Sequence, residues 1–186
     1  SVGPYCRRII FPVQECGSVV YFTNRFCDDP AHGITSPLKS RNPDKAPGLR
    51  SKRDCLLGYD GLIGKSAIAL VEGPFDHMAF PPEFPAAALM GKFITEGQVN
   101  LLRGLARQGL REIAIALDPE AAQEAEKLAR TLSTVVPTIS LVSLEGGDPW
   151  DLRTDLPSLL QARKMFDHGT RVSMRLNGGS PRKIKC

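Results

Sequence analysis

Four short apolar runs, each closed by an acidic residue or a glycine, constrain this chain more than anything else in it. Ala67-Ile68-Ala69-Leu70-Val71 stops at Glu72-Gly73, and Ala86-Ala87-Ala88-Leu89-Met90 stops at Gly91. Glu112-Ile113-Ala114-Ile115-Ala116-Leu117 stops at Asp118, and Thr138-Ile139-Ser140-Leu141-Val142-Ser143 runs on to Gly146-Gly147-Asp148. Uninterrupted apolar runs of this length suit strands buried on both faces. Helical rhythm fills the gaps. Segment 95–108 sets Val99, Leu101, Leu102, Leu105 and Ala106 on one stripe behind Thr95 as N-cap, and 119–132 is rich in Ala, Glu, Gln and Lys with Pro in its first turn. Strands alternating with helices predict an α/β fold, a mostly parallel sheet flanked by helices. A last helix is predicted over 156–166.

The first third has a different grammar. Arg8-Ile9-Ile10-Phe11-Pro12-Val13 and Ser18-Val19-Val20-Tyr21-Phe22-Thr23 are β-branched and aromatic runs joined through Glu15-Cys16-Gly17, which predicts a hairpin. From 28 to 53 apolar periodicity disappears. That stretch holds Pro30, Pro37, Pro43 and Pro47 among Lys39, Arg41, Lys45, Arg50, Lys52 and Arg53, and reads as a long basic loop with a functional role. The end, 171–186, reads as a flexible basic tail.

Net charge, +4 over 186 residues, informs only when divided along the chain. Residues 1–66 carry ten Lys/Arg against six Asp/Glu, 67–152 carry six against twelve, and 153–186 carry eight against two. An acidic centre between basic flanks suits a cation site beside a surface that meets a polyanion. No apolar run is long enough to span a bilayer, so no membrane partner is expected. The N-terminus lacks the layout of a secretory signal, and a start at Ser suggests processing or an excised fragment. Cytoplasm is the expected compartment. Five widely spaced cysteines, Cys6, Cys16, Cys27, Cys55 and Cys186, fit free thiols in a reducing compartment, and no pair has zinc-ribbon spacing. No zinc is expected.

In sheets of this kind functional groups gather at the carboxyl ends of the strands. Glu72, Asp118 and Asp148 fall there, with Glu120 two residues after Asp118 and Asp151 three after Asp148. Singly, each acid could cap a helix or face solvent. Together they would repel one another unless protons or a cation intervene, and oxygen ligands without His or Cys suit hard ions, Mg²⁺ or Mn²⁺. Their side chains are therefore expected to meet at one shared edge.

These residues also carry a resemblance. Ala69-Leu70-Val71-Glu72-Gly73-Pro74-Phe75-Asp76, then Ala116-Leu117-Asp118-Pro119-Glu120-Ala121-Ala122, then Gly147-Asp148-Pro149-Trp150-Asp151-Leu152, resemble the three acidic motifs of a Toprim domain. Their order and intervals are similar to those of DnaG-like primases of bacteria and phages. The upstream part agrees: Arg8 to Val13 with Gly17 and Val20, then Asn24-Arg25, Thr35-Ser36-Pro37, Lys52 and Leu57-Gly58. The likeness covers roughly residues 7–166. It implies a smaller mixed α/β basic subdomain over 1–65, a Toprim-type catalytic domain over 66–153, and a helix with a basic tail over 154–186.

By resemblance, Glu72 is a metal ligand or acid/base, and Asp118 and Asp148 are metal ligands. Arg25 and Lys52 match basic positions that meet template and nucleotide phosphates, and Arg8 is a looser match. Three departures stand out. His32 replaces a frequent Lys, Glu120 replaces the second Asp of a D-x-D pair, and Trp150 replaces the second Asp of D-P-D, leaving Asp151 as the fifth carboxylate. Trp150 could stack on a base or simply pack. The implied activity is synthesis of short RNA primers on single-stranded DNA from nucleoside triphosphates, with two Mg²⁺ or Mn²⁺ ions and a replicative helicase as possible partner. A Toprim nuclease and a non-catalytic, primase-like nucleic-acid-binding module are the competing readings.

Overall fold

The computed structural model describes residues 3–36, 38–43 and 48–167. Pro37, Lys45 and Pro47 of the basic loop and the whole of the tail 171–186 lie outside the described residues. The chain opens with the expected hairpin, β1 (Arg8–Glu15) antiparallel to β2 (Ser18–Phe26). Its two-residue turn puts Cys16 and Gly17 at φ 53° and 75°, the left-handed pair that matches strand twist. The Asp60 carboxylate accepts both turn amides, Cys16 N at 2.7 Å and Gly17 N at 2.8 Å. The loop that follows contains short 3₁₀ turns at Pro30–His32 and Lys52–Asp54.

The second sheet has five strands in the order β4-β3-β5-β6-β7. β3 (Ala67–Val71), β4 (Ala86–Ala88), β5 (Glu112–Ile115) and β6 (Thr138–Leu141) are parallel, as the apolar runs predict. α1 (Pro74–Ala79) follows β3, and α2 (Glu96–Arg107) follows β4. α3 (Ala122–Leu132) follows β5 after a 3₁₀ turn at Pro119–Ala121, so the helix expected from 119 starts three residues later. Thr95 is the N-cap of α2: its hydroxyl accepts from Gln98 N while Gln98 Oε1 accepts from Thr95 N, a reciprocal cap.

One expectation fails. The helix predicted over 156–166 ends early, as α4 (Leu156–Gln161), and the chain then forms β7 (Lys164–Met165), antiparallel to β6. Arg163 supplies the reason: its Nε reaches Glu112 Oε1 of β5 at 2.6 Å. Phe166 N then donates to Ile139 O at 2.8 Å, so the backbone continues the sheet rather than the helix.

Strand alternation divides the core into two clusters, one on each face of the sheet. Ile68, Leu70, Ile113, Ile115 and Ile139 pack under α2 and α3 with Leu102, Leu105, Leu128 and Leu132. Ala69, Val71, Ala86, Ala88, Ala114 and Ala116 point the other way. This floor of small side chains accepts Phe11, Val13 and Tyr21 of the hairpin together with Leu156 and Leu160 of α4. Alanine admits close approach where a larger residue would overpack.

Candidate active site

Parallel pairing brings the strand ends level. Ala88 stands beside Val71, and Leu89 N donates to Val71 O at 3.0 Å. On the other side of β3, Ile115 pairs with Leu70, and Ala116 N donates to Leu70 O at 2.9 Å. Val142 N in turn donates to Ile115 O at 2.9 Å. Glu72 and Asp118 therefore leave neighbouring strands at the same edge, and Asp148 lies in the loop after β6.

Electrostatics register this proximity. The Glu72 carboxyl is raised by burial and then by the charge of Asp118, and Lys92 opposes the shift. Asp118 is raised by burial, by Asp148 and by Glu120, again opposed by Lys92. Asp76, on α1 and buried, is raised to about 6 by burial, against the Gly73 amide and with added repulsion from Asp148, Asp118 and Glu72. Its Oδ2 accepts from Gly73 N at 2.8 Å, and a Cβ on Gly73 would come within 2.9 Å of that oxygen. Glycine is what allows this approach. Among the described residues no three His, Cys, Asp or Glu side chains close into a group that could hold an ion. Glu72, Asp118 and Asp148 nevertheless stand close enough for each negative charge to act on its neighbour.

The departures from motif have local explanations. Asp148 Oδ1 accepts from Asp151 N at 2.8 Å, and Asp151, an exposed residue, lays its side chain over Gly147, where an added Cβ would meet Asp151 Cβ at 2.8 Å. Glu120 is exposed beside Asp118 in the Pro119–Ala121 turn. Trp150 packs: its ring lies 5.5 Å from Phe75, which meets Phe11 of β1 at 5.4 Å, and Arg153 covers the ring at 5.0 Å.

The basic candidates divide. Lys52 Nζ donates to Met90 O at 3.0 Å, in the turn that closes β4. The Arg8 guanidinium bonds Asn24 Oδ1 at 3.0 Å and Leu38 O at 2.9 Å and covers the Phe26 ring, so it fastens the loop to the hairpin. Arg25 stands opposite Ile9, and its side chain makes no hydrogen bond or ion pair among the described residues. His32 pairs with Asp29 at 2.8 Å on the surface.

Two cations that the sequence reading did not choose as site residues also stand here. Arg50 lines a cavity of about 520 Å³ together with Lys52, Arg53, Ser51, Asn42 and Tyr21. Glu15, buried at the end of β1, pairs with Arg50 and holds it in place. Lys92 acts on both Glu72 and Asp118. Only the density of Lys and Arg in the loop signalled the first. The glycine turn before Lys92 was the signal for the second.

The fold is similar to part of the RNA polymerase domain of DnaG-type primases. The zinc-binding and RNA polymerase domains of Aquifex aeolicus primase superpose with TM-score 0.68 at 23% identity, over 87% of this chain and 41% of that one. The RNA polymerase domain of Mycobacterium tuberculosis primase DnaG, in complex with a double-stranded DNA oligomer with a 6-nucleotide overhang, gives TM-score 0.67 at 24% identity, over 84% of this chain and 53% of that one. The primase fragment of the bacteriophage T7 primase-helicase protein gives 0.56 at 14%, over 83% and 62%. The chain thus spans less than two thirds of each of these structures. No protein-family model and no curated protein sequence matches it. Among the described residues no helix is long and apolar enough to cross a membrane.

Proposed function

We propose that this chain is the polymerising core of a DNA primase, joining nucleotides into short RNA primers on single-stranded DNA. One observation carries the reading. Lys52 belongs at once to the cationic cavity and, through Met90 O, to the edge where Glu72 and Asp118 emerge. A cavity lined by Arg50, Lys52 and Arg53 and a cluster of mutually repelling carboxylates thus adjoin in a primase-like fold.

The donor set fits a hard divalent cation: oxygens alone, with Glu72 and Asp118 both raised by burial and neighbouring negative charge. Glu72, Asp118 and Asp148 would hold Mg²⁺ or Mn²⁺, with Glu120 and Asp151 near enough in sequence to join through side-chain movement. Such ions lower the pKa of an attacking hydroxyl and offset the charge of departing pyrophosphate. The protein's own part is to hold the acids at one edge, with Asp76 fixing the backbone at Gly73. Arg50, Lys52 and Arg53 would bind template or nucleotide phosphates by charge-assisted hydrogen bonds, and Arg25 offers a further unpaired cation. The Mycobacterium tuberculosis domain bound to overhang DNA supports a nucleic-acid partner of this kind. The T7 relative, part of a primase-helicase, supports a helicase partner.

The deciding experiment is a priming assay on single-stranded DNA with labelled ribonucleotides and Mg²⁺ or Mn²⁺. Template-dependent oligonucleotides are the expected product. Metal-dependent cleavage without incorporation would replace this reading with a nuclease. Template binding without Mn²⁺ binding would replace it with a binding module.

A further inference from the structure

Lys92 enters the active edge from an unusual turn. The chain leaves β4 beside Val71, Met90 takes φ 58°, and Lys52 Nζ holds the Met90 carbonyl at 3.0 Å. A Cβ on Gly91 would sit 3.7 Å from the same ammonium. The backbone at Lys92 is thus fixed on its N-terminal side. The side chain is exposed, and among the described residues it makes no hydrogen bond and no ion pair within 4 Å. Even so, its charge acts on both Glu72 and Asp118, from two neighbouring strands. Lys92 also lines a cavity of about 150 Å³ with Lys127, Thr131 and Glu124 of α3. Two lysines against one glutamate leave that cavity positive. A cation that reaches two carboxylates and pairs with neither is placed to take an anion bound beside them.

We propose that Lys92 binds a non-bridging oxygen of a nucleotide's polyphosphate at the Glu72–Asp118 edge, with the cavity next to Lys127 giving room for the outer phosphates. The assignment rests on the primase reading above and adds to it the residue that would hold the nucleotide's charged tail. A role limited to neutralising the acids would have a different signature, because removing Lys92 would then affect cations alone.

The test is calorimetric titration of the 186-residue chain and its Lys92→Ala and Lys92→Arg variants with four probes. These are Mn²⁺ alone, inorganic tripolyphosphate with Mn²⁺, ATP with Mn²⁺, and a single-stranded oligonucleotide. In Lys92→Ala, tripolyphosphate and ATP should each bind roughly tenfold more weakly, the worth of one charge-assisted hydrogen bond. Mn²⁺ alone should bind at least as tightly, oligonucleotide affinity should not change, and Lys92→Arg should keep most of the nucleotide affinity. Unchanged tripolyphosphate binding by Lys92→Ala overturns the assignment, as does weakened Mn²⁺ binding or an equal loss for the oligonucleotide. If the unaltered chain binds neither Mn²⁺ nor tripolyphosphate, the primase reading falls and takes this one with it. If it binds both and Lys92→Ala matches it, this assignment alone falls.

Discussion

Lys52 Nζ and the Met90 carbonyl, 3.0 Å apart, form the hydrogen bond that joins the basic loop to the strand end beside Glu72. A charged donor on a carbonyl contributes about 1–2 kcal/mol. Met90, at φ 58°, occupies a conformation that a side chain rarely adopts unaided. Lys52→Met should keep the side-chain length, lower stability by about 1 kcal/mol and reduce primer synthesis by roughly tenfold or more through the displaced turn and the lost cation. Thermal unfolding and the priming assay check the two effects separately. Full activity in a destabilised variant would leave Lys52 a purely structural residue.

Asp118 receives the repulsion of both Asp148 and Glu120 and in turn raises Glu72. Asp118→Asn should lower priming by more than about a hundredfold, the scale for losing a metal-site group, while the fold persists. In the unaltered chain, Mn²⁺ at a hundred times its Kd should raise Tm by roughly 5–10 °C. Most of that shift should vanish in Asp118→Asn. An identical Mn²⁺ response in both proteins would mean that Asp118 does not hold the ion.

Asp76 gives a pH dependence whose sign follows from its environment. Burial lifts its carboxyl from 3.8 to about 6, so the folded chain binds this proton more tightly than the unfolded chain does. The corresponding stability is complete below the lower value and lost as pH rises through the upper one, about 2 kcal/mol in all. Asn at this position can still accept from Gly73 N. In EDTA, Tm of the unaltered chain should therefore fall relative to Asp76→Asn between pH 4 and pH 7. Parallel curves would show that Asp76 bears no such penalty.

Arg8 should behave as a fastener. Its guanidinium meets Asn24 Oδ1 and the carbonyls of Leu38 and Lys39. Arg8→Ala should cost about 1–3 kcal/mol and speed proteolysis within the loop. Oligonucleotide affinity measured below the lowered Tm should change little. A large, salt-sensitive loss of DNA binding would return Arg8 to the phosphate-binding surface.

The four parallel strands were legible because a doubly buried strand must be apolar at every position, and a run such as Ile113-Ala114-Ile115 has few other uses. Thr95 announced the start of α2 by the same local logic, and the structure adds Gln98, three residues on, as the other half of a reciprocal cap. β7 was not legible. Two residues carry no periodicity, and what ends α4 is Arg163 reaching Glu112, fifty-one positions earlier in the chain. Trp150 likewise gave two readings until Phe75 and Arg153 were seen to enclose its ring.

Sequence alone determined that the chain would be a parallel α/β sheet with its acids at the strand ends, because burial and chain reversal act through neighbours a few residues apart. It could not say which cations those acids would meet. Lys52 is thirty-eight residues from Met90, and Lys92 is twenty from Glu72 and twenty-six from Asp118. Those encounters depend on strand order and register. Only the assembled sheet, with β4 beside β3 and β5 on its other side, brings one basic loop and one glycine turn to the same carboxylate edge.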